Sequence, residues 1–469
     1  MPPLSANPPT ALALGILPHI LLPLVLALAY FPPPFPGRAL LVLVLAALLQ
    51  WRCAVSPWPP NTGDTRALRY GLACTWLFVL PAVERLVLHT PEREFWRVDN
   101  PPGHPSDART VPALEGKRSG SSPREWSWAK MWWGVRLFVT PRAVGWNFGS
   151  RAINAQRVGI LETRRRGEVT RVGFVLGCLV RAFWCYLVWD GVMLAERKLV
   201  IPEGWAWDRD VVGRILFSEL LMVLVTYCGM TMQFNLGAAI GVATGLNGPE
   251  EWPPLFGSVV DCYTINNVWG NFWHQYIRQP CLGFSHYIVN VLRIPRRSSL
   301  AYLIHLTTAF AISTFFHILS VGAVAPGYYP LANLISDMSI FFMLQPIATM
   351  VEVAVMKLFS RYVLAPQPVQ ADSKTERKPN EQQMAGLADG HAESVVSGGV
   401  EGTGETTPTG KAAILRSIGA ALCRLVGYVW VFSWFSFSGW WFVKGYAGVR
   451  MQDWQVPFSI VGKLVVPGY

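Results

Sequence analysis

Two histidines stand out by their surroundings. His274 follows Trp269, Phe272 and Trp273 in NNVWGNFWHQYIRQP (266–280), and His317 lies inside the apolar run LIHLTTAFAISTFFHILSVGAV (303–324). Imidazole is the side chain best suited to take and return a proton near neutral pH. At hydrocarbon depth it is rare and costly, so His317 reads as functional by default, against the alternative of a histidine hydrogen-bonded to a neighbouring helix. His274 has two readings, an anchor in an aromatic interfacial belt or a catalytic group opening onto that interface. His305 is twelve residues before His317, about 18 Å along a helix, so the two cannot serve one small site. His286, His19 and His89 read as interface or packing residues, and His104 and His391 fall in polar stretches. The chain has no G-x-S-x-G elbow, P-loop or G-x-G-x-x-G turn. An enzyme built from these residues would use histidine as the base and a pre-activated donor to supply the leaving group.

The elements that must position these groups are membrane helices. Of 469 residues, 52% are hydrophobic and 15% charged, whereas soluble domains carry about a quarter charged residues. The 21 tryptophans suit the headgroup layer, where the ring is buried and its N–H stays wet. Apolar runs long enough to cross about 30 Å of hydrocarbon lie near 11–29, 39–51, 68–89, 172–195, 211–228, 229–246, 301–324, 331–358 and 415–443, with a weaker one at 455–467. We expect an all-α, polytopic transmembrane bundle of roughly eight to ten spans. The first run lacks a basic flank and reads as an uncleaved span rather than a signal peptide. The domain reading is 1–89 as N-terminal spans, 90–171 as a polar and basic loop region and 172–365 as the catalytic membrane core. A disordered loop follows at 366–411, poor in aromatics and rich in small and charged residues, and 412–469 forms the C-terminal membrane region.

The net charge of +11 comes largely from arginines in short loops, where positive charge sets topology or meets anionic groups; nucleic acid is not expected. Arg164–Arg171, Arg293/Arg296/Arg297 and Lys357/Arg361 are all expected to face the cytosol. For this, residues 253–277, only moderately apolar and carrying Pro253 and Pro254, read as a re-entrant or interfacial element rather than a full span. The eight cysteines are scattered without zinc or disulfide spacing, so neither a metal site nor a disulfide framework is expected.

With these residues in view, VWGNFWHQYIRQP resembles the aromatic-Trp-Gly-x-x-Trp-His block of wax synthase-like proteins, a branch of the membrane-bound O-acyltransferase superfamily. TPRAVGWNFGSR (140–151) is similar to the Arg-Gly-x-Gly-Trp-Asn-Trp block that fungal members carry on a loop. FFHILS stands where the superfamily has its intramembrane histidine. The resemblance spans about residues 130–445. It departs at Asn271 and Phe272, where the family commonly has two arginines, and after Arg142, where Ala143 and Val144 precede Gly145.

The resemblance implies transfer of an acyl group from acyl-CoA to a hydroxyl, and in fungal members acetylation of a terpenoid or meroterpenoid alcohol in secondary metabolism. It implies His317 and His274 as catalytic residues, with Trp269, Trp273 and Asn267 against the substrate. Coenzyme A, arriving from the cytosol, would meet Arg164, Arg165, Arg166, Arg278, Arg293, Arg296 and Arg297. The expected partners are acetyl-CoA, a lipophilic alcohol and membrane lipid, with no metal, in a multi-pass protein of the endoplasmic reticulum. A long-chain wax-ester or sterol-ester synthase is the alternative within the same fold. A non-enzymatic transporter is the alternative of another class, with Asp190, Glu219, Asp337 or Glu352 as proton-relay partners.

Overall fold

The structure, a computed structural model, describes residues 8–56, 58, 63–98, 125–196, 209–325, 327–363, 410–450 and 459–465. The expected disordered loop, 366–411, lies almost wholly outside the described residues. Two helices, α1 (Pro8–Leu28) and α2 (Arg38–Val55), form a hairpin, and α3 (Gly63–Ala73) and α4 (Trp76–Leu88) are separated only by a turn at Cys74 and Thr75. Residues 90–171, expected as loop, carry α5 (Pro91–Glu94), α6 (Trp128–Phe138) and α7 (Arg151–Arg165). The last two start at serine caps: Ser127 Oγ accepts from the Lys130 N–H (3.1 Å) and Ser150 Oγ from the Ile153 N–H (3.2 Å), satisfying otherwise orphaned donors.

The membrane core follows as α8 (Arg171–Glu196), α9 (Arg209–Ala243), the short α10 (Ile265–Asn267), α11 (Arg278–Val291), α12 (Ser299–Gly322), α13 (Leu331–Val363), α14 (Gly410–Gly448) and α15 (Ile460–Val465). Among the described residues, eight helical stretches are long and apolar enough to cross a membrane: 10–28, 38–55, 68–88, 171–196, 213–243, 299–322, 331–359 and 421–448.

One expectation is corrected. The runs 211–228 and 229–246 are not two spans; they are the single helix α9. A glycine costs a helix only about 1 kcal/mol, and no proline interrupts this one. Two of its glycines serve packing: a Cβ on Gly237 or Gly241 would lie 3.5 or 3.0 Å from the Trp252 indole. With α9 counted once, residues 244–298 fall on the same side as 125–170 without a further crossing, which resolves the parity that the arginines demanded.

Two cores result. One joins α1, α2, α4 and α6 to the 143–148 turn through Leu26, Tyr30, Leu86, Leu137 and Trp146. The other joins α8, α9, α12, α13 and α14 through Met193, Met222, Phe310, Met338, Phe342 and Tyr446. A buried triad fixes the first: Arg38 donates twice to Glu92 (2.7 and 2.9 Å), and Lys130 Nζ donates to the same carboxylate at 2.7 Å.

Between α9 and α11 the chain does not span. Single turns at Pro249–Glu251 and Val259–Asp261 lead into α10, which runs on as one π-helical turn, Val268–Phe272. Eight residues of helix rise only about 12 Å, far short of the hydrocarbon thickness. Two long-range clamps hold this element. Arg142 donates to the carbonyls of Pro253 (2.7 Å) and Pro254 (2.8 Å). The Glu352 carboxylate on α13 accepts from the N–H groups of Ile265 and Asn266, 3.0 Å each, at the positive end of the short helix. Gly257 packs so tightly that a Cβ there would lie 2.3 Å from the Asn271 carbonyl oxygen.

Candidate active site

His317 projects from α12 into an aromatic cage. Its ring stacks on Phe342 of α13 (centroids 4.7 Å, 23°), and Phe442 of α14 and Phe316 meet it edge-on at 5.6 and 5.3 Å. Its Nδ1 lies 3.1 Å from the Tyr446 hydroxyl, which in turn lies 3.2 Å from the hydroxyl of Tyr70 on α3. Phe442 and Tyr446 are four apart on α14 and so share one face. The neighbour-helix hydrogen bond is therefore present, yet it engages only one ring nitrogen.

His274 stands on the re-entrant element. Phe256, Trp273 and Tyr276 surround it at centroid separations of 6.2, 5.6 and 6.1 Å. Its Nδ1 is buried with no hydrogen-bond partner among the described residues. Burial holds its pKa down to about 4, and the nearby Arg142 guanidinium adds to the effect, so the ring is neutral at physiological pH. The two imidazoles lie close enough to feel each other's charge. Both rings are half-buried.

Trp269 is a peg between helices. It meets Phe310 of α12 at 5.3 Å and Phe435 of α14 at 5.7 Å, and its indole N–H donates to Gln345 Oε1 (3.3 Å). Gln345 is fully buried on α13 and accepts a second indole N–H from Trp434 at 3.0 Å. Trp273 lies against His274, whereas Asn267 is engaged locally, donating to the Asp261 carbonyl and accepting from Asn271.

The structure does not gather the seven arginines into one cluster of free cations. Arg164 pairs with Glu250 (2.7 Å), and Arg97 and Arg157 converge on Glu251. Arg166 faces Glu168 at 3.6 Å, Arg278 donates to the Gly270 carbonyl and Gln275, and Arg296 donates to Asn290. Arg165 and Arg293 are exposed and have no partner among the described residues, while Arg297 is exposed and engaged. His305 is elsewhere: its Nδ1 lies 2.7 Å from Ser285 Oγ, and its ring meets His286 at 4.8 Å. Among the described residues, no group of three or more His, Cys, Asp or Glu side chains is placed to hold a metal ion.

Sequence reasoning missed Tyr446, Tyr70 and Gln345, which have no local signature, and the clamp made by Arg142. It named four intramembrane carboxylates as possible partners for His317, and none bonds to it. Asp190 accepts from Ser459 Oγ and the Val461 N–H, Asp337 from Tyr329 and Lys444, and Glu352 caps α10. The fourth, Glu219, has a buried Oε1 without a partner among the described residues.

Residues 252–344 match the membrane bound O-acyl transferase family, and the match takes in both His274 and His317. Similar curated proteins are fungal. Acetyltransferase cdmC of Talaromyces verruculosus is 27% identical over 194 residues, 38% of this chain and 46% of the relative. Acetyltransferase ataH of Aspergillus terreus is 33% identical over 131 residues, 28% and 42% of the two chains. Acetyltransferase sirH of Emericella nidulans is 25% identical over 315 residues, 64% and 66% of the two. The chain thus spans less than half the length of cdmC and ataH and about two thirds of sirH. No solved structure matches.

Proposed function

We propose that this multi-pass membrane protein transfers an acetyl group from acetyl-CoA to a hydroxyl of a lipophilic alcohol of terpenoid or meroterpenoid type, in the endoplasmic reticulum membrane. The observation that carries the reading is that His317 and His274, on two different elements and each among aromatic rings, lie near enough to feel each other's charge inside the matched family segment. The names of the similar fungal acetyltransferases support the acetyl donor.

His317 is the general base. With Nδ1–H donating to the Tyr446 oxygen, the ring keeps its Nε2 lone pair for the alcohol proton. The alkoxide-like oxygen attacks the thioester carbonyl carbon, and the tetrahedral intermediate collapses with cleavage of the C–S bond. The departing thiolate takes the proton back from His317, leaving an ester and free coenzyme A. His274, neutral and with an unpaired ring nitrogen, orients the alcohol or donates to the developing oxyanion. The alcohol enters from lipid past the aromatic residues of the re-entrant element. Coenzyme A approaches from the side that bears Arg165 and Arg293, which of the seven arginines are the two exposed without partners among the described residues.

The test is acetyl transfer by membranes carrying the protein. Acetyl-CoA and a panel of terpenoid alcohols should yield free thiol and the matching ester in equal amounts. Ester formation only from long-chain acyl-CoA would favour the wax- or sterol-ester synthase instead, and no thiol release with any donor and alcohol would end the acyltransferase reading.

A further inference from the structure

The four carboxylates weighed above as partners for His317 divide three to one. Asp190, Asp337 and Glu352 each accept at least two hydrogen bonds from the protein. Glu219 accepts none among the described residues, although its Oε1 is buried. A polar group left unsatisfied inside an apolar bundle is the exception in native structures, and an ionisable one within a span points to a ligand or a pathway.

Its location suggests which. Glu219 lies on α9 against Gly439 of α14, where a Cβ would stand 2.7 Å from Oε1; the missing side chain is what seats the carboxyl group. Gly439 follows Phe435 by four residues and precedes Phe442 and Tyr446 by three and seven. All four therefore share one face of α14. Phe435 packs on Trp269, and Phe442 and Tyr446 enclose His317. Along α9, Tyr227 lies about two turns beyond Glu219 and packs on Phe256, itself against His274. The unpaired carboxyl group thus sits between the two helices whose faces lead to the two histidines.

We propose that Glu219 forms a recognition subsite for the acceptor. Its carboxyl oxygen receives a hydrogen bond from a second hydroxyl of the alcohol, on the order of 5–10 Å from the hydroxyl that reacts, judged from the helical rise between Gly439 and Phe442 or Tyr446. The preferred acceptors are then rigid polycyclic alcohols with two oxygen functions rather than simple mono-alcohols. This rests on the acyltransferase reading above for the identity of the acceptor, but the subsite itself is read by binding. A site built to pair a substrate hydroxyl rejects the analogue lacking it, because its own polar group is then stranded.

The experiment compares androstanol with androstanediol as rigid probes, binding to the purified full-length protein in lipid nanodiscs and followed by tryptophan fluorescence. Wild type should bind the diol about tenfold more tightly, the factor for one hydrogen bond to a buried oxygen. Glu219→Met, which keeps the side-chain length without an acceptor oxygen, should bind both alike, and Glu219→Gln should restore most of the preference. The absence of a diol preference in wild type, or an equal loss for both probes in Glu219→Met, would overturn the proposal. Thiol release from acetyl-CoA is measured in parallel. Diol preference without any thiol release removes the acyltransferase reading and keeps the subsite. Thiol release with equal use of both alcohols keeps the reading and removes the subsite.

Discussion

His305 and His317 stand on the same helix twelve residues apart, and the bundle treats them differently. His305 lies near the start of α12, where α11 supplies a serine hydroxyl and a second imidazole, and its polar demand is met locally. His317 lies near the other end among phenylalanines of α12, α13 and α14, with one tyrosine hydroxyl as its polar contact. Residue type and helix are held constant, so the difference arises from what the neighbouring elements bring. A histidine with hydroxyl and imidazole neighbours closes a helix contact, whereas one caged by aromatics keeps a nitrogen free, as the proposed base requires.

The sharpest way to break this comparison is to remove the two rings in turn. His317→Ala should lower turnover by roughly 10²–10⁴, the worth of a general base, in protein that reaches the membrane at normal levels and still binds acetyl-CoA. Single-turnover thiol release together with a binding measurement reads both quantities.

His274→Ala should cost less, about 10², as for the loss of one positioned donor, and His274→Asn should recover part of it because an amide N–H still donates. The same ring carries a pH signature. Its folded-state pKa is lowered from 6.5 to about 4, so its contribution to stability is complete above pH 6.5 and is lost as pH falls from 6.5 towards 4. Melting curves across that window should show the acid loss in wild type and a smaller one in His274→Asn.

Tyr446→Phe deletes one hydroxyl and leaves the cage intact. It should lower kcat about tenfold, equivalent to about 1.4 kcal/mol, with KM for both substrates unchanged. An equal rise in both KM values would mean that Tyr446 packs rather than positions. The smallest effect belongs to His305→Ala, expected within about twofold of wild type, as for changes away from the chemistry. Loss of activity there with His317→Ala active would invert the comparison.

The long apolar runs and the separate standing of His317 were readable because hydropathy and rarity at depth are local properties of a chain. The re-entrant character of 253–277 was readable from its two prolines and from the placing of the arginines. The continuity of α9 was only half readable, because its glycines suit either close helix packing or a break until Trp252 is seen packed on two of them. Nor was the Tyr70–Tyr446 contact, whose members are 376 residues apart. Arg142 was visible inside a recognisable block, but its bonds go to two proline carbonyls, and backbone acceptors leave no mark in a sequence.

The Glu352 clamp has a consequence for the order in which the molecule is made. The amides it receives belong to Ile265 and Asn266, 87 and 86 residues earlier in the chain. During synthesis the re-entrant segment leaves the ribosome well before its clamp exists, and exposed N–H groups cannot rest in hydrocarbon without partners. The segment must wait at the headgroup layer, where Trp269 and Trp273 are at home, until α13 is inserted and its carboxylate arrives. The last step in assembling the proposed site is then the docking of an already synthesised loop, set by the arrival of a helix downstream of it.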